Sequence, residues 1–357
     1  IGYGVRKVNR SLLAVVIPER EDNIVELVYS RRFLKRAKKI AVIGGGTGLH
    51  NLLRGLKAYT SNLSAIVTVA DDGGSSGRIR RELNIPPPGD IRNCLIALAE
   101  AEPAVEKLFQ YRFDEGEELK GHSVGNLLLA AMTIMSDGRF DLAVDELSRI
   151  LAIRGRVIPA ALRPVTLIAT MSDGTQVAGE SHIPEMRKRV VEMKLEVSTF
   201  ANPEAIKALE EADFIILGPG SLFTSIVPNL LVDGIANAIS ASPATKIHVC
   251  NVMTQPGETL DFSAEDHLRV LLKYVDKIDF AVINKWVPNR LKRKYELEGA
   301  RPVKFDVVEI LKMGIRPVVK DLMDLRAEYA WHDPNLLAQV ILELSGQVKK
   351  PISAGGF

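Results

Sequence analysis

Four short apolar segments, each ending in a loop or tip of glycine, aspartate, serine or asparagine, constrain the fold of this chain most. They cover residues 38–43, 65–70, 214–217 and 246–251. Short apolar runs closed by polar turns are typical of β-strands. Leucines at helical spacing follow the first run, at 49, 52, 53 and 56. The order strand, glycine turn, helix predicts a doubly wound α/β fold.

The first loop, residues 44–48, reads Gly-Gly-Gly-Thr-Gly. Glycines at such a turn let the backbone approach a phosphate, and the free amides of the new helix attract its charge. We therefore predict ligand contacts from Gly45, Gly46, Thr47 and Gly48. The third glycine of the dinucleotide fingerprint is replaced by Leu49, which disfavours a nicotinamide enzyme, and no Lys-Ser or Lys-Thr follows as in the common triphosphate loop.

The second loop begins with two adjacent carboxylates, Asp71 and Asp72. Either can accept bonds from ribose or base, or hold Mg²⁺ beside a phosphate. Alternatively, these residues only cap the following helix. Three glycines and two serines within the same eight residues exceed what one cap requires, so we favour a ligand loop that includes Gly74, Ser75 and Ser76.

Further polar residues stand at predicted turns and helix starts. Residues 86–88 form a triple proline, after which another helix begins, and 121–126 form a second polar turn. A crevice at the carboxyl ends of parallel strands would collect these groups, and a ligand with phosphates and sugar hydroxyls would suit it. The additional candidates are Asp90, Arg92, Asn93, His122, Asn126, Gly218, Gly220, Ser221, Asn229 and Asn251.

Composition excludes several classes of protein. With 46 Lys+Arg against 44 Asp+Glu, the net charge of +2 gives no general attraction to nucleic acid. Only two cysteines are present and the six histidines are scattered, so neither a disulfide framework nor a built-in metal centre is expected. No run of 18 apolar residues indicates a membrane span. A cytoplasmic location fits these features.

The chain divides into three predicted parts: a basic arm at 1–38, a main domain at 39–345 and a tail at 346–357. Residues 1–39 hold ten basic and four acidic residues. The arm either contacts an anionic membrane surface, following a segment that is missing here, or packs on the main domain as a solvated element. Within the main domain, two strand-like runs around an Asp-Gly turn predict a β-hairpin insertion near 155–200.

Six blocks of the sequence are found at residues 43–48, 69–77, 86–93, 121–126, 218–229 and 251–259. Together, in this order, they resemble the bacterial gluconeogenesis factor (YvcK-like) family. The resemblance extends from about residue 39 to 345, and near its end Trp331 stands where an arginine is expected before His-Asp.

The resemblance implies a Rossmann-like three-layer α/β/α fold with a mostly parallel sheet, shared with 2-phospho-L-lactate transferase. It also implies a cytoplasmic protein that is needed for cell shape and wall synthesis on gluconeogenic carbon sources. Such proteins bind UDP-sugars, UDP-N-acetylglucosamine for example, and have no established reaction. No cofactor is then required and no residue is assigned as catalytic.

Three hypotheses follow. The first is a UDP-sugar-binding regulator, with Tyr295 and Arg301 closing over the ligand. In it, the diphosphate lies over residues 45–48 and 218–221, while uridine and sugar contact Asp71, Asp72, Asn229 and Asn251. The second is a Mg²⁺-dependent nucleotide transferase of the 2-phospho-L-lactate type using the same site, and the third is a nicotinamide oxidoreductase. The hairpin insertion and the near-zero net charge leave room for a homo-oligomer, and a regulator of this kind would act on a protein partner.

Overall fold

A computed structural model describes residue 34, residues 36–100 and 103–344, and residue 346. Most of the predicted arm and tail lie outside these residues. The strands of the described part, in chain order, are β1 Ile40–Gly44, β2 Leu63–Val67, β3 Arg156–Pro159, β4 Leu167–Met171, β5 Gln176–Ala178, β6 Val190–Leu195, β7 Phe214–Leu217, β8 Thr245–Val249, β9 Phe280–Asn284 and β10 Arg316–Lys320.

Seven of these strands form one parallel sheet in the order β10-β9-β8-β7-β1-β2-β3. The chain moves outward from β1 through β2 to β3, then returns to place β7 on the other side of β1. This reversal produces a switch point between β1 and β7, where open α/β sheets bind ligands. The predicted α/β fold is confirmed, and each of the four predicted apolar runs supplies a strand of this sheet.

Helices cover both faces of the sheet. The α-helices of the described residues are α1 Gly46–Leu56, α2 Gly74–Leu83, α3 Gly89–Leu98, α4 Pro103–Gln110, α5 Val124–Met135, α6 Phe140–Ile150, α7 Pro203–Glu210, α8 Val227–Leu230, α9 Ile235–Ala241, α10 Ala264–Leu271, α11 Asn289–Leu297, α12 Val307–Lys312 and α13 Pro334–Leu344. A π-helical turn, Leu222–Ile226, precedes α8.

Two hydrophobic cores lie on opposite faces of the sheet. Along β1, Ala41 and Ile43 face one core while Ile40 and Val42 face the other, because successive side chains of a strand alternate. The first core packs against α7, α9, α10 and α12, and the second against α1, α3, α5, α6 and α13. This three-layer arrangement agrees with the Rossmann-like fold that the resemblance implied.

The insertion is a three-stranded antiparallel sheet in the order β5-β4-β6. Its β4–β5 hairpin, which turns at residues 172–175, is confirmed, and β6 adds a third strand that the sequence did not indicate. The predicted start of the insertion near 155 is too early, since β3 at Arg156–Pro159 belongs to the main sheet. Val157 and Ile158 of β3 are buried in the hydrophobic layers that cover the main sheet.

No helix in the described part of the chain is long and apolar enough to cross a membrane.

Candidate functional site

The two glycine loops of the switch point lie side by side. Gly46 has a φ of +65°, in the left-handed region that favours glycine, where β1 turns into α1. A Cβ atom added to Gly48 would lie 2.8 Å from the carbonyl oxygen of Pro219 in the loop after β7. The side-chain Nδ2 of Asn229, which lies beyond the π-helical turn after the β7 loop, donates to the carbonyls of Gly44 at 3.3 Å and Ser225 at 2.7 Å. The loops are thus held close enough to share one ligand.

Between these loops and the tip of β8 is a cavity of about 310 Å³. Among the described residues that line it there is no aspartate, glutamate, lysine or arginine. Its surface therefore offers backbone amides, hydroxyls and side-chain amides rather than charge. Predicted residues in the lining are Gly45, Gly46, Thr47, Gly48, Gly220, Ser221, Asn251 and Tyr295.

A chain of hydrogen bonds connects the second glycine loop to the segment after β8. The backbone amide of Gly220 donates to Asn251 Oδ1 at 3.2 Å, and Asn251 Nδ2 donates to Gln255 Oε1 at 3.1 Å. Gln255 Nε2 in turn donates to Ser221 Oγ at 2.6 Å. These bonds fix the polar side of the cavity before any ligand binds, which lowers the entropic cost of binding.

The opposite wall of the cavity is aromatic. Tyr295 of α11 accepts a hydrogen bond at its Oη from the backbone amide of Ala330, at 3.1 Å. This contact brings Trp331 and His332 to the cavity lining, although they lie more than 280 residues from the first glycine loop. Burial lowers the pKa of His332 to about 4, so its imidazole is neutral at pH 7. Its Nε2 has no hydrogen-bond partner among the described residues.

Acidic side chains gather beside the cavity rather than in its lining. Asp71 Oδ1 accepts from the amide of Gly73 at 2.9 Å, and Asp72 Oδ1 accepts from the amide of Ser181 in the insertion at 2.9 Å. Burial, then repulsion from Asp71, raises the pKa of Asp90 to about 6. Burial, then repulsion from Asp71 and Asp90, raises the pKa of Glu180 to about 8.

These carboxylates do not form a ready metal site. In the part of the chain that the structure describes, no three His, Cys, Asp or Glu side chains are placed to hold a metal ion. Asp71 and Asp72 already accept backbone amides, and Asp90 accepts the amide of Gly46. As positioned here, the residues do not fit a resident Mg²⁺ ion.

Several other predicted residues form a buried network behind the loop at residues 71–78. His122 Nδ1 shares a 2.9 Å hydrogen bond with Ser75 Oγ, to which Asn126 Nδ2 donates at 3.0 Å. Arg92 donates to Asn126 Oδ1 at 3.0 Å and to Asn93 Oδ1 at 2.8 Å. The network joins α2, α3 and α5, since Ser75, Arg92 and Asn126 lie on these three helices. Its members support the loop and lie outside the cavity lining.

The remaining predicted residues take three positions. Gly74 and Ser76 lie in the first turn of α2, and Gly218 precedes the loop residues that reach the cavity. The Arg301 side chain is 67 % exposed and pairs with Asp261 at 3.4 Å, outside the lining. Several lining residues were not among those predicted from the sequence, although Thr254 and Gln255 lie within the block at 251–259. The missed residues are Asn51, Pro219, Ser225, Val252, Met253, Thr254, Gln255, Ala330, Trp331 and His332.

A parallel α/β sheet with two glycine loops at its switch point defines a Rossmann-like protein with a small-molecule crevice. A family model described as 2-phospho-L-lactate transferase CofD matches residues 40–323. The gluconeogenesis factor of Bacillus subtilis (strain 168) is 51 % identical over 310 residues, which cover 86 % of this chain and 98 % of that protein. A putative gluconeogenesis factor of Nostoc sp. is 45 % identical over 350 residues, covering 96 % and 76 %.

The crystal structure of protein BH3568 from Bacillus halodurans has the same fold. It superposes with a TM-score of 0.83 at 45 % identity and covers 86 % of this chain and 100 % of its own. The chain belongs to the gluconeogenesis factor family, within the wider group that matches the 2-phospho-L-lactate transferase model.

Proposed function

We propose that this protein is a cytoplasmic regulator that binds a UDP-sugar of the UDP-N-acetylglucosamine type and acts on cell shape and wall synthesis during gluconeogenic growth. The diphosphate lies over residues 45–48 and 220–221 and takes hydrogen bonds from amides other than those of Gly46 and Gly220, which already donate to Asp90 and Asn251. The reversible binding of the ligand, rather than its chemical conversion, is the signal in this proposal.

The observation that carries the proposal is the uncharged cavity between the two glycine loops. Close approach of backbone amides is the usual way in which Rossmann-like proteins hold a diphosphate without a lysine. Thr47, Ser221 and Asn251 add the neutral hydrogen-bonding groups that ribose, sugar and phosphate oxygens use. Membership of the gluconeogenesis factor family agrees with a regulatory role.

A second candidate function is a nucleotide-dependent transferase of the 2-phospho-L-lactate type. The match of that family model to residues 40–323 favours it. This reaction displaces a phosphoanhydride with an acceptor hydroxyl, and the protein's part is mainly to position the reactants and neutralise charge. The two candidates differ in one measurable property, which is turnover.

Calorimetric titration with UDP-N-acetylglucosamine, with and without Mg²⁺, tests the proposal, followed by chromatography of the recovered ligand. We expect saturable binding at one site and an unchanged ligand. Cleavage or transfer would favour the transferase instead. Absence of binding under both conditions would contradict the UDP-sugar assignment, and titration with N-acetylglucosamine alone serves as the control for binding through the sugar only.

A further inference from the structure

The rim of the cavity carries a stack of side chains that ends in an indole ring. Trp331 lines the cavity and is 41 % exposed. Its ring stacks on that of Tyr329, with centroids 5.2 Å apart and an interplanar angle of 24°. The Lys294 ammonium lies 4.0 Å from the centroid of Tyr329. One side of the indole is thus covered by the ring of Tyr329, which is itself 45 % exposed, while Trp331 also lines the cavity.

We propose that Trp331 is the platform on which the uracil ring of the nucleotide sugar stacks. The proposal rests on the proposed function and specifies which part of the ligand this wall recognises. It also gives a role to the tryptophan that stands where the resemblance to the family led us to expect an arginine.

Several hydrogen bonds to backbone groups fix the segment that carries the indole without a ligand. The amide of Trp331 donates to the carbonyl of Tyr329 at 2.9 Å, and its carbonyl accepts from the amide of Asp324 at 3.0 Å. Lys294 Nζ also donates to the carbonyl of Glu328 at 3.0 Å. With the bond from Ala330 to Tyr295, these contacts tie the segment to α11. A rigid aromatic surface of this kind loses little entropy on binding.

The chemistry of the wall favours a base over a phosphate. Phosphate has better partners in the amides of the glycine loops, and the lining around Trp331 holds no cation among the residues that the structure describes. A nucleobase has a flat π-face that stacks on an indole, and such stacking typically contributes about 1–3 kcal/mol per base. Hence the diphosphate lies at the glycine loops and the base at the rim.

Tryptophan fluorescence tests this placement directly, because the chain contains only two tryptophans, Trp286 and Trp331. In Trp286→Phe, whose site lies outside the cavity lining, Trp331 is the sole indole. We expect its emission to be quenched by UDP-N-acetylglucosamine and by UMP, and unchanged by N-acetylglucosamine 1-phosphate. In calorimetry, Trp331→Leu should bind UDP-N-acetylglucosamine about tenfold more weakly or worse, while Trp331→Phe retains most of the affinity.

Each other outcome has a distinct meaning. Calorimetric binding with no quenching, together with unchanged affinity of Trp331→Leu, would overturn the platform and leave the proposed function standing. Quenching by N-acetylglucosamine 1-phosphate but not by UMP would place the hexose on Trp331 and overturn the base assignment. Absence of calorimetric binding by the wild-type protein would overturn the proposed function and the platform with it. Cooperative thermal unfolding of both Trp331 variants confirms that they are folded.

Discussion

At the scale of single residues, Gly46 combines two constraints. Its φ of +65° is costly for other residues, and it lines the cavity, where Ser225 Oγ, at 3.8 Å, is the one described atom within 4 Å of an added Cβ. The position therefore has room for a side chain, but that side chain would occupy the place of the ligand. Backbone strain and blocked binding can be separated by comparison with a second glycine of the same conformation.

We expect Gly46→Leu to lower the affinity for UDP-N-acetylglucosamine at least tenfold and the free energy of unfolding by about 1–2 kcal/mol. Gly138→Leu is the matched control, since Gly138 has a φ of +79°, has no atom of a described residue within 4 Å of an added Cβ and lies in the turn between α5 and α6. It should lose similar stability and bind normally. Calorimetry and urea unfolding measure the two effects; equal affinities of both variants would exclude Gly46 from the binding site.

At the scale of elements, Glu258 connects the segment after β8 to the π-helical turn after β7. Its side chain is 3 % exposed, and its Oε1 accepts from Thr224 Oγ1 at 3.1 Å while Oε2 has no partner among the described residues. Burial raises the pKa of Glu258 from its ordinary value of 4.5 to about 7, against the opposing effect of the Thr224 hydrogen bond. The folded protein thus binds this proton more tightly than the unfolded chain does.

The sign of the resulting pH dependence follows from this difference. The contribution of Glu258 to stability is complete below pH 4.5 and is lost as the pH rises through about 7. Glu258→Gln keeps an acceptor for Thr224 and removes the titration. We expect the variant to match wild type at pH 4.5 and to be more stable at pH 8 by about 3 kcal/mol at most, since one pKa unit corresponds to about 1.4 kcal/mol. Urea unfolding at both pH values measures the difference.

Glu211→Gln provides a control of opposite sign. The hydrogen bond from Lys39 lowers the pKa of Glu211, so wild type gains stability from this residue above its ordinary pKa and loses it as the pH falls. This variant should be the less stable protein at pH 8 and should approach wild type in acid. If the stabilities of the two variants relative to wild type changed with pH in the same direction, the titration of Glu258 would not be the cause of the pH dependence.

At the scale of the whole molecule, the antiparallel insertion shares a hydrophobic core with the parallel sheet, and Asp72 adds a polar link between them. Asp72 Oδ1 accepts from the amide of Ser181, and its Oδ2 lies 2.4 Å from the position of a Cβ added to Gly179, so the two segments are in close contact. We expect Asp72→Ala to reduce the free energy of unfolding by about 1–2 kcal/mol, because a backbone amide loses its partner. Asp72→Asn keeps an oxygen acceptor and should recover most of this loss.

The same pair of variants decides whether Asp72 also contacts the ligand, as the sequence analysis predicted. Thermal unfolding reports the link to the insertion, and calorimetry with UDP-N-acetylglucosamine reports the ligand. Normal binding by Asp72→Asn would assign this carboxylate to the fold alone. A loss of affinity in Asp72→Asn with unchanged thermal unfolding would instead support direct contact with the ligand.

The sequence predicts those parts of the molecule that local physics determines. Residues 40–43 and 214–217 are covered on both faces, so their strands appear as continuous apolar runs. The helix at Val124–Met135 has a clear start because Ser123 caps it, accepting from the amide of Asn126. By contrast, β6 contains Glu192 and Lys194 on its exposed face, which weakens its apolar pattern.

The site is only partly predictable for a different reason. The glycine loops are visible because each follows its strand directly. Trp331 and His332 reach the cavity only through the contact of Ala330 with Tyr295 on another element, and no local spacing encodes that contact. His122 and Arg92 have the residue types of a binding site, and the structure places them in a buried network outside the cavity lining.

The neutral lining of the cavity has a consequence for how this protein would report on metabolism. Screening by salt weakens attraction between charges and has little effect on hydrogen bonds or ring stacking. A nucleotide sugar held by amides and an indole would therefore be bound with nearly constant affinity when the ionic strength of the cell changes. Other abundant polyanions would not bind such a cavity more tightly because of their additional phosphates. Occupancy would follow the concentration of one metabolite rather than the total anionic content of the cell.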